Sequence, residues 1–174
     1  MPDALPRMLD VTRTYLELRT PAQFRDAISS DAALRVDRAA DCPVSFFRYL
    51  YREVGARYRW RDRLSWTDDA CHAHLARANI SIWVLYLAGS PAGWFELRMH
   101  DDRSAEIAYF GLLREFIGRG LGKHLLTVAA RTAWSLEPTR VWLHTCTLDD
   151  PAALPNYRAR GFTEYKTERY TVPE

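Results

Sequence analysis

No apolar run in the 174-residue sequence approaches the ~20 residues that a membrane-spanning helix needs, so no such span is expected. The first residues, MPDALPRMLD, lack the apolar stretch of a secretion signal. Cysteine is scarce: Cys42, Cys71 and Cys146 are odd in number and far apart, which argues against a disulfide framework and fits a reducing cytoplasm, the expected location. Neither charge sign dominates. With 24 Lys+Arg against 22 Asp+Glu the net charge is +2, so nothing pulls the whole chain toward nucleic acid or an anionic membrane. Internal repeats, low-complexity tracts and linkers are also missing, and residues 1–174 read as a single domain.

What is present is the material of a folded domain, 48% hydrophobic, 26% charged and 13% aromatic, long enough to bury its own core. In TYLELRT, Leu16 and Leu18 alternate with Tyr15, Glu17 and Arg19, the period of a half-buried strand. Pro43 suits a first helical position, and Val44, Phe47, Leu50, Tyr51 and Val54 then recur at helical spacing until Gly55. A second helix is predicted after Thr67, with Asp68 and Asp69 in its first turn, where the dipole favours negative charge. Three strands follow: ISIWVLYLAG and AGWFELRMH, joined across GSPAG, then AEIAYFGLL after the turn HDDRS. Short connections imply an antiparallel meander. A long helix over about Gly118 to Leu136 comes next, then the strand RVWLHTCTL, a short helix around Pro151 to Arg160, and the strand FTEYKTERYTV. Pro155 is expected to break or restart the short helix, and Gly161 to stop it in the left-handed conformation. The order predicts a mixed α/β (α+β) domain, not repeated βαβ winding.

The stretch IGRGLGK, Ile117 to Lys123, carries three glycines on alternate positions ahead of an apolar helix. A P-loop would need Ser or Thr after Lys123 and glycine five places before Gly122, but His124 and Ile117 stand there. A dinucleotide fingerprint counted from Gly118 and Gly120 would need glycine at 123, which is lysine, and no βαβ unit surrounds it. The physics common to both motifs survives. Glycines let backbone approach an anion closely, and a helix start points unpaired N–H groups at it.

YFGLLREFIGRGLGKHLL, followed by a strand and AALPNYRARGF, resembles the GCN5-related N-acetyltransferases. Their acetyl-CoA motif, Gln/Arg-x-x-Gly-x-Gly/Ala, falls on Ile117 to Gly122, and their Ala-x-x-x-Tyr-x-x-x-Gly-Phe signature on Ala153, Tyr157, Gly161 and Phe162. The resemblance covers about Ile80 to Val172, with a compatible opening before it. Ile117 departs from the usual Gln/Arg, and Asp150 stands where many relatives carry Asn, which puts one polar cofactor contact in question.

The resemblance implies the family fold, a mostly antiparallel central sheet with flanking helices, and acetyl transfer from acetyl-CoA to an amine by direct attack. It places the cofactor core at about 80–172 and assigns the pyrophosphate to Ile117, Gly118, Arg119, Gly120, Leu121, Gly122 and Lys123, with Asn156 beside them. The strand at Phe110 and Leu112 would splay and free backbone groups for the pantetheine amides, with a bulge at Gly111. Tyr157 matches the acid position, although a tyrosine there also fills space. Glu106 and Glu96 are the candidate bases, with a water relay as the alternative to both.

The resemblance also puts the acceptor at the helical segment of about 43–78, where Tyr58, Trp60, Arg61 and Trp66 sit in RYRWRDRLSW with Arg57, Arg59 and Arg63. The plainer reading is a solvated arginine loop anchored by its tryptophans. A stacking site for single-stranded nucleic acid ranks behind a small-molecule or peptide amine. A homodimer is among the partners this reading admits. CHAH, at Cys71, His72 and His74, lacks a fourth ligand at fitting spacing, so no metal is assigned. Cys146 reads as a packing residue, without the partners of a nucleophile. The rival function is a catalytically idle acyl-CoA-binding or regulatory domain of the same fold.

Overall fold

The computed structural model describes residues 7–174; residues 1–6, most of the stretch read above for a leader, lie outside them. Strand β1 (Met8–Leu18) buries Leu16 and Leu18, as their alternation predicts. Strand β2 (Leu34–Arg38) was not expected: LRVDR is too short and too charged for its alternation to stand out, and it forms the sheet edge, where polar side chains are tolerated. Helix α1 (Val44–Gly55) starts behind Pro43 and turns Val44, Phe47, Leu50, Tyr51 and Val54 inward. Helix α2 (Asp68–Leu75) is capped by the Thr67 hydroxyl, which accepts from Ala70 N at 3.2 Å.

The meander comprises β3 (Ile80–Leu87), β4 (Ser90–Met99) and β5 (Ala105–Leu112). Its first turn is Ala88-Gly89, both at positive φ, so Pro91 to Gly93 belong to β4 and not to the connection expected across GSPAG. Helix α3 (Leu121–Trp134), β6 (Val141–Cys146), α4 (Ala153–Ala159) and β7 (Thr163–Pro173) complete the order. Pro155 does not break α4. It occupies the third helical position, inside the first turn, where its missing N–H has no partner to lose. Gly161 ends the helix at φ +95°, and an added Cβ would stand 2.0 Å from the Gln23 carbonyl oxygen, so the site admits glycine alone.

All seven strands form one sheet, ordered β2-β3-β4-β5-β6-β1-β7. Every pairing is antiparallel except β5 with β6. One face carries α3, whose Leu125, Leu126, Ala129 and Ala133 pack on Leu16, Phe95, Leu97, Ile107 and Leu143. Each buried leucine there contributes roughly 1.5–3 kcal/mol. The other face carries α1 and α2 over Ile80, Ile82, Val84 and Trp94. Helix α1 approaches closely because β5 has glycine beneath it: a Cβ at Gly111 would fall 2.4 Å from Val54 Cγ1. The bulge expected at Gly111 lies instead at Ala108, where Glu96 pairs Tyr109 and Leu97 pairs Ile107.

Candidate active site

Strands β5 and β6 pair only at Ala105 with Val141 and Glu106 with Trp142, and then diverge. The rest of β5 therefore presents an unpaired edge to a cleft of about 790 Å³. Phe110, Leu112, Ile117, Leu121 and Asn156 line it. So does the glycine turn. Gly118 and Gly120 take positive φ of 82° and 73°, which brings the chain into the first turn of α3 with its leading N–H groups free of intrahelical partners. No atom lies within 4 Å of where a Gly118 Cβ would be, and at Gly122 the nearest are Asn156 Nδ2 at 3.8 Å and Leu112 Cδ1 at 4.0 Å. The turn is an open, anion-seeking cradle, and Lys123 adds a cation at its rim. A pyrophosphate fits it by charge and by backbone approach. Arg119 does not line the cleft; its guanidinium lies over the Phe116 ring at 5.2 Å.

Tyr157 projects from α4 into the same cleft, its ring edge-on to Phe110 at 6.1 Å and to Phe162 at 6.2 Å. Burial, with Asp149 and Tyr58 nearby, drives its phenol far above the usual range, so it stays protonated. Glu106 lines the cleft, with Oε2 2.7 Å from His100 Nε2 and 3.9 Å from Arg98 Nη1. Its rival is placed differently. Glu96 is fully buried and does not line the cleft, its carboxylate taken in both oxygens by Arg63 at 2.6 and 2.9 Å and by His74 at 3.1 Å. Burial alone would raise its pKa, but the Arg63 and His74 bonds hold it below the usual carboxylate range.

This network also corrects the picture of RYRWRDRLSW. Arg63 is buried, not solvated, lying 4.1 Å over Tyr109 and 4.9 Å over Trp66, and Trp66 packs on His74 instead of reaching the cleft. Tyr58, Trp60 and Arg61 do line it. The Tyr58 hydroxyl donates to Asp150 at 3.2 Å across the cleft, its pKa pushed up to about 12 by burial and by that carboxylate. Asp150 thus tethers the loop that follows α1 to the start of α4.

Among the cleft residues that escaped sequence reading are Arg13, Arg98 and His144. His144 had a usable signal, because in VWLHTC the buried Val141, Leu143 and Thr145 leave Trp142, His144 and Cys146 on the opposite face. Burial, reinforced by Arg13, lowers the His144 pKa and keeps the ring neutral. Burial raises the Cys146 thiol pKa, which suits a packing residue better than a nucleophile. Cys71 is buried in the α1–α2 core, and among the described residues no group of three or more His, Cys, Asp or Glu is arranged to hold a metal. No helix of the described residues is long and apolar enough to cross a membrane.

A strand pair that splays over a glycine-started helix, with a tyrosine from the next helix beside it, defines the cleft of this mixed α/β domain. Residues 43–162 match the Acetyltransferase (GNAT) family, and the chain belongs to that family. No curated protein matches the sequence. Among solved structures, a GCN5-related N-acetyltransferase from Kribbella flavida is 19% identical with a TM-score of 0.67, over 96% of this chain and 60% of that one. An aminoglycoside acetyltransferase from an uncultured soil metagenomic sample, in complex with sisomicin, is 18% identical with a TM-score of 0.64, over 76% and 90%. A tandem GNAT protein from the clavulanic acid biosynthesis pathway is 15% identical with a TM-score of 0.62, over 94% and 53%. The likeness to these structures is one of fold, and the chain spans only about three fifths or less of the first and third.

Proposed function

We propose that the protein transfers an acetyl group from acetyl-CoA to a primary amine of a small molecule or peptide by direct attack. The observation that carries this reading is the divergence of β5 from β6 above the glycine turn, which gathers an open strand edge, an anion cradle and a buried phenol around one cleft. In this reading the N–H groups of residues 118–123 hold the pyrophosphate, with Lys123 and Asn156 beside it, and the free edge at Phe110 and Leu112 receives the pantetheine amides. Bound acetyl-CoA would supply the thioester carbonyl: the C–N bond forms as the C–S bond breaks, nitrogen losing one proton and sulfur gaining one.

An alkyl ammonium has a pKa near ~10.4 and no lone pair, so a proton must leave first. Glu106 takes it, directly or through water, held in place by His100. Tyr157 faces the sulfur. A thiol pKa of roughly 8.5 lies below even an ordinary phenol near ~10, and burial widens that gap, so full proton transfer from Tyr157 runs uphill. The hydroxyl therefore acts as a hydrogen-bond donor to the charge developing on sulfur, and the proton the sulfur gains comes from water or from the newly acylated nitrogen, which sheds its surplus proton as the amide forms.

The test is a melting curve with and without coenzyme A, followed by thiol release from acetyl-CoA across a panel of amines. Stabilisation by coenzyme A with amine-dependent thiol release is expected. Stabilisation without thiol release from any amine would identify an idle binder, and no stabilisation would remove the cofactor from the reading.

A further inference from the structure

Two strand-borne arginines of the cleft have donor capacity that the protein does not use. Arg98 on β4 donates one hydrogen bond, a long one of 3.4 Å to Glu96, and stands 3.9 Å from Glu106. Arg13 on β1 stacks on Tyr170 and donates to its hydroxyl at 3.3 Å, with no carboxylate partner among the described residues. The Nε of each is buried without a partner. Three other partly or wholly buried arginines hold a carboxylate closely, Arg63 on Glu96 at 2.6 Å, Arg48 on Asp68 at 2.7 Å and Arg140 on Glu17 at 2.9 Å; Arg160 shares the unpartnered Nε but does not line the cleft. A guanidinium is a fork of five donors matched to a planar oxyanion, and leaving it half-used in a partly dry site is unfavourable.

Sheet register places the pair on one side of the cleft. Arg98 pairs with Glu106, Glu106 with Trp142, and Arg13 with Cys146 two residues beyond His144, so all of these side chains share a sheet face. A cation held only by long contacts to Glu96 and Glu106 thus neighbours the carboxylate assigned as base. The small molecule complementary to that juxtaposition carries opposite charges two bonds apart, an ammonium toward Glu106 and a carboxylate toward the arginines.

Resting on the acetyltransferase reading, we propose that the acceptor is an amine bearing an adjacent carboxylate, an α-amino acid or close relative, whose carboxylate is held by Arg98 and Arg13 while its nitrogen lies at Glu106. The arginines are binding groups here and take no part in the proton transfers. Trp60 and Tyr109, edge to face at 5.0 Å in the same cleft, give the amino-acid side chain an apolar surface.

The experiment compares kcat/KM for the proteinogenic α-amino acids with that for their decarboxylated amines and α-amides, using thiol release from acetyl-CoA. At least one acid should exceed its matched amine and amide by tenfold or more. Arg98→Gln should raise the KM for that acid by about tenfold to a hundredfold, the worth of a charged hydrogen-bonded pair, while the matched amine changes less. Arg13→Gln, which leaves the Glu96 network untouched, should do the same if Arg98→Gln fails to fold. Amines or amides turned over as well as the acids, or an acid preference that survives both substitutions, would overturn this inference and leave acetyl transfer standing. No turnover with any member, in protein that still binds coenzyme A, would overturn this inference, and a further lack of thiol release across the wider amine and peptide panel would overturn both.

Discussion

Replacing Glu96 with glutamine preserves the shape of the side chain and removes one charge from a place water does not reach. Arg63, 5% exposed and held in a fork by that carboxylate, is left as a buried cation facing a neutral amide. It cannot turn to solvent without displacing the rings of Tyr109, Trp66 and Phe47, which flank its guanidinium at 4.1, 4.9 and 5.5 Å. Removing one partner of a buried pair costs about 3–5 kcal/mol. At about 2–4 °C per kcal/mol for a chain of this size, Tm should fall by about 6–20 °C. The double substitution Glu96→Leu with Arg63→Met, which strands no charge, should recover part of that loss. The sign with pH follows. The Glu96 carboxyl is held below its unfolded value of ~4.3, so its contribution is present above about pH 4.3 and disappears as pH falls below it, and the gap between wild type and Glu96→Gln should narrow there. Melting curves across pH, with kcat/KM corrected for the folded fraction, check both points. A Tm within about 2 °C of wild type, together with a collapse of kcat at saturating substrate, would refute the reasoning and restore Glu96 as the base.

That pair also marks where sequence reading runs out. Periodicity reports which face of an element is buried, so the meander, the α3 stripe and the outward row of β6 were legible before any coordinates. The glycine turn and Tyr157 were legible because their chemistry sits within short windows, fixed by local backbone demands. Glu96, by contrast, reads as one strand carboxylate among several until Arg63, 33 residues away, folds onto it. Of the two readings of Trp66, acceptor contact and core anchor, the structure bears out the second, and the sequence could not separate them because a tryptophan beside arginines looks alike whether the arginines face water or a buried carboxylate. Arg13 and Arg98 come from strands 85 positions apart in sequence and meet the same cleft only because the sheet order puts β1 beyond β6. Strand β2 was missed because an edge strand of five residues satisfies half its backbone with water and needs little apolar signal.

Two further outcomes test the chemistry and the scaffold around it. Tyr157→Phe keeps the packing on Phe110 and Phe162, so stability and coenzyme A affinity should stay near wild type while kcat falls by about tenfold to a hundredfold; unchanged turnover would remove the hydroxyl from the reaction. His124 concerns the strap that packs on the helix behind the glycine turn. On α3, one position past Lys123, its Nδ1 accepts the Ser29 N–H at 2.9 Å, and Thr127 Oγ1 accepts the Ala27 N–H at the same distance, so the segment 27–29 is pinned to the helix by two side chains. Accepting at Nδ1 requires that nitrogen to be unprotonated, and burial lowers the ring's pKa below the unfolded ~6.5. Folding then favours the neutral ring: the contribution is whole above about pH 6.5 and is lost as pH falls through the folded value. His124→Gln has no such titration. Between pH 7.5 and 5.0 the wild-type Tm should decline more steeply than the variant's, and parallel curves would mean that the ring takes up its proton without disturbing the strap.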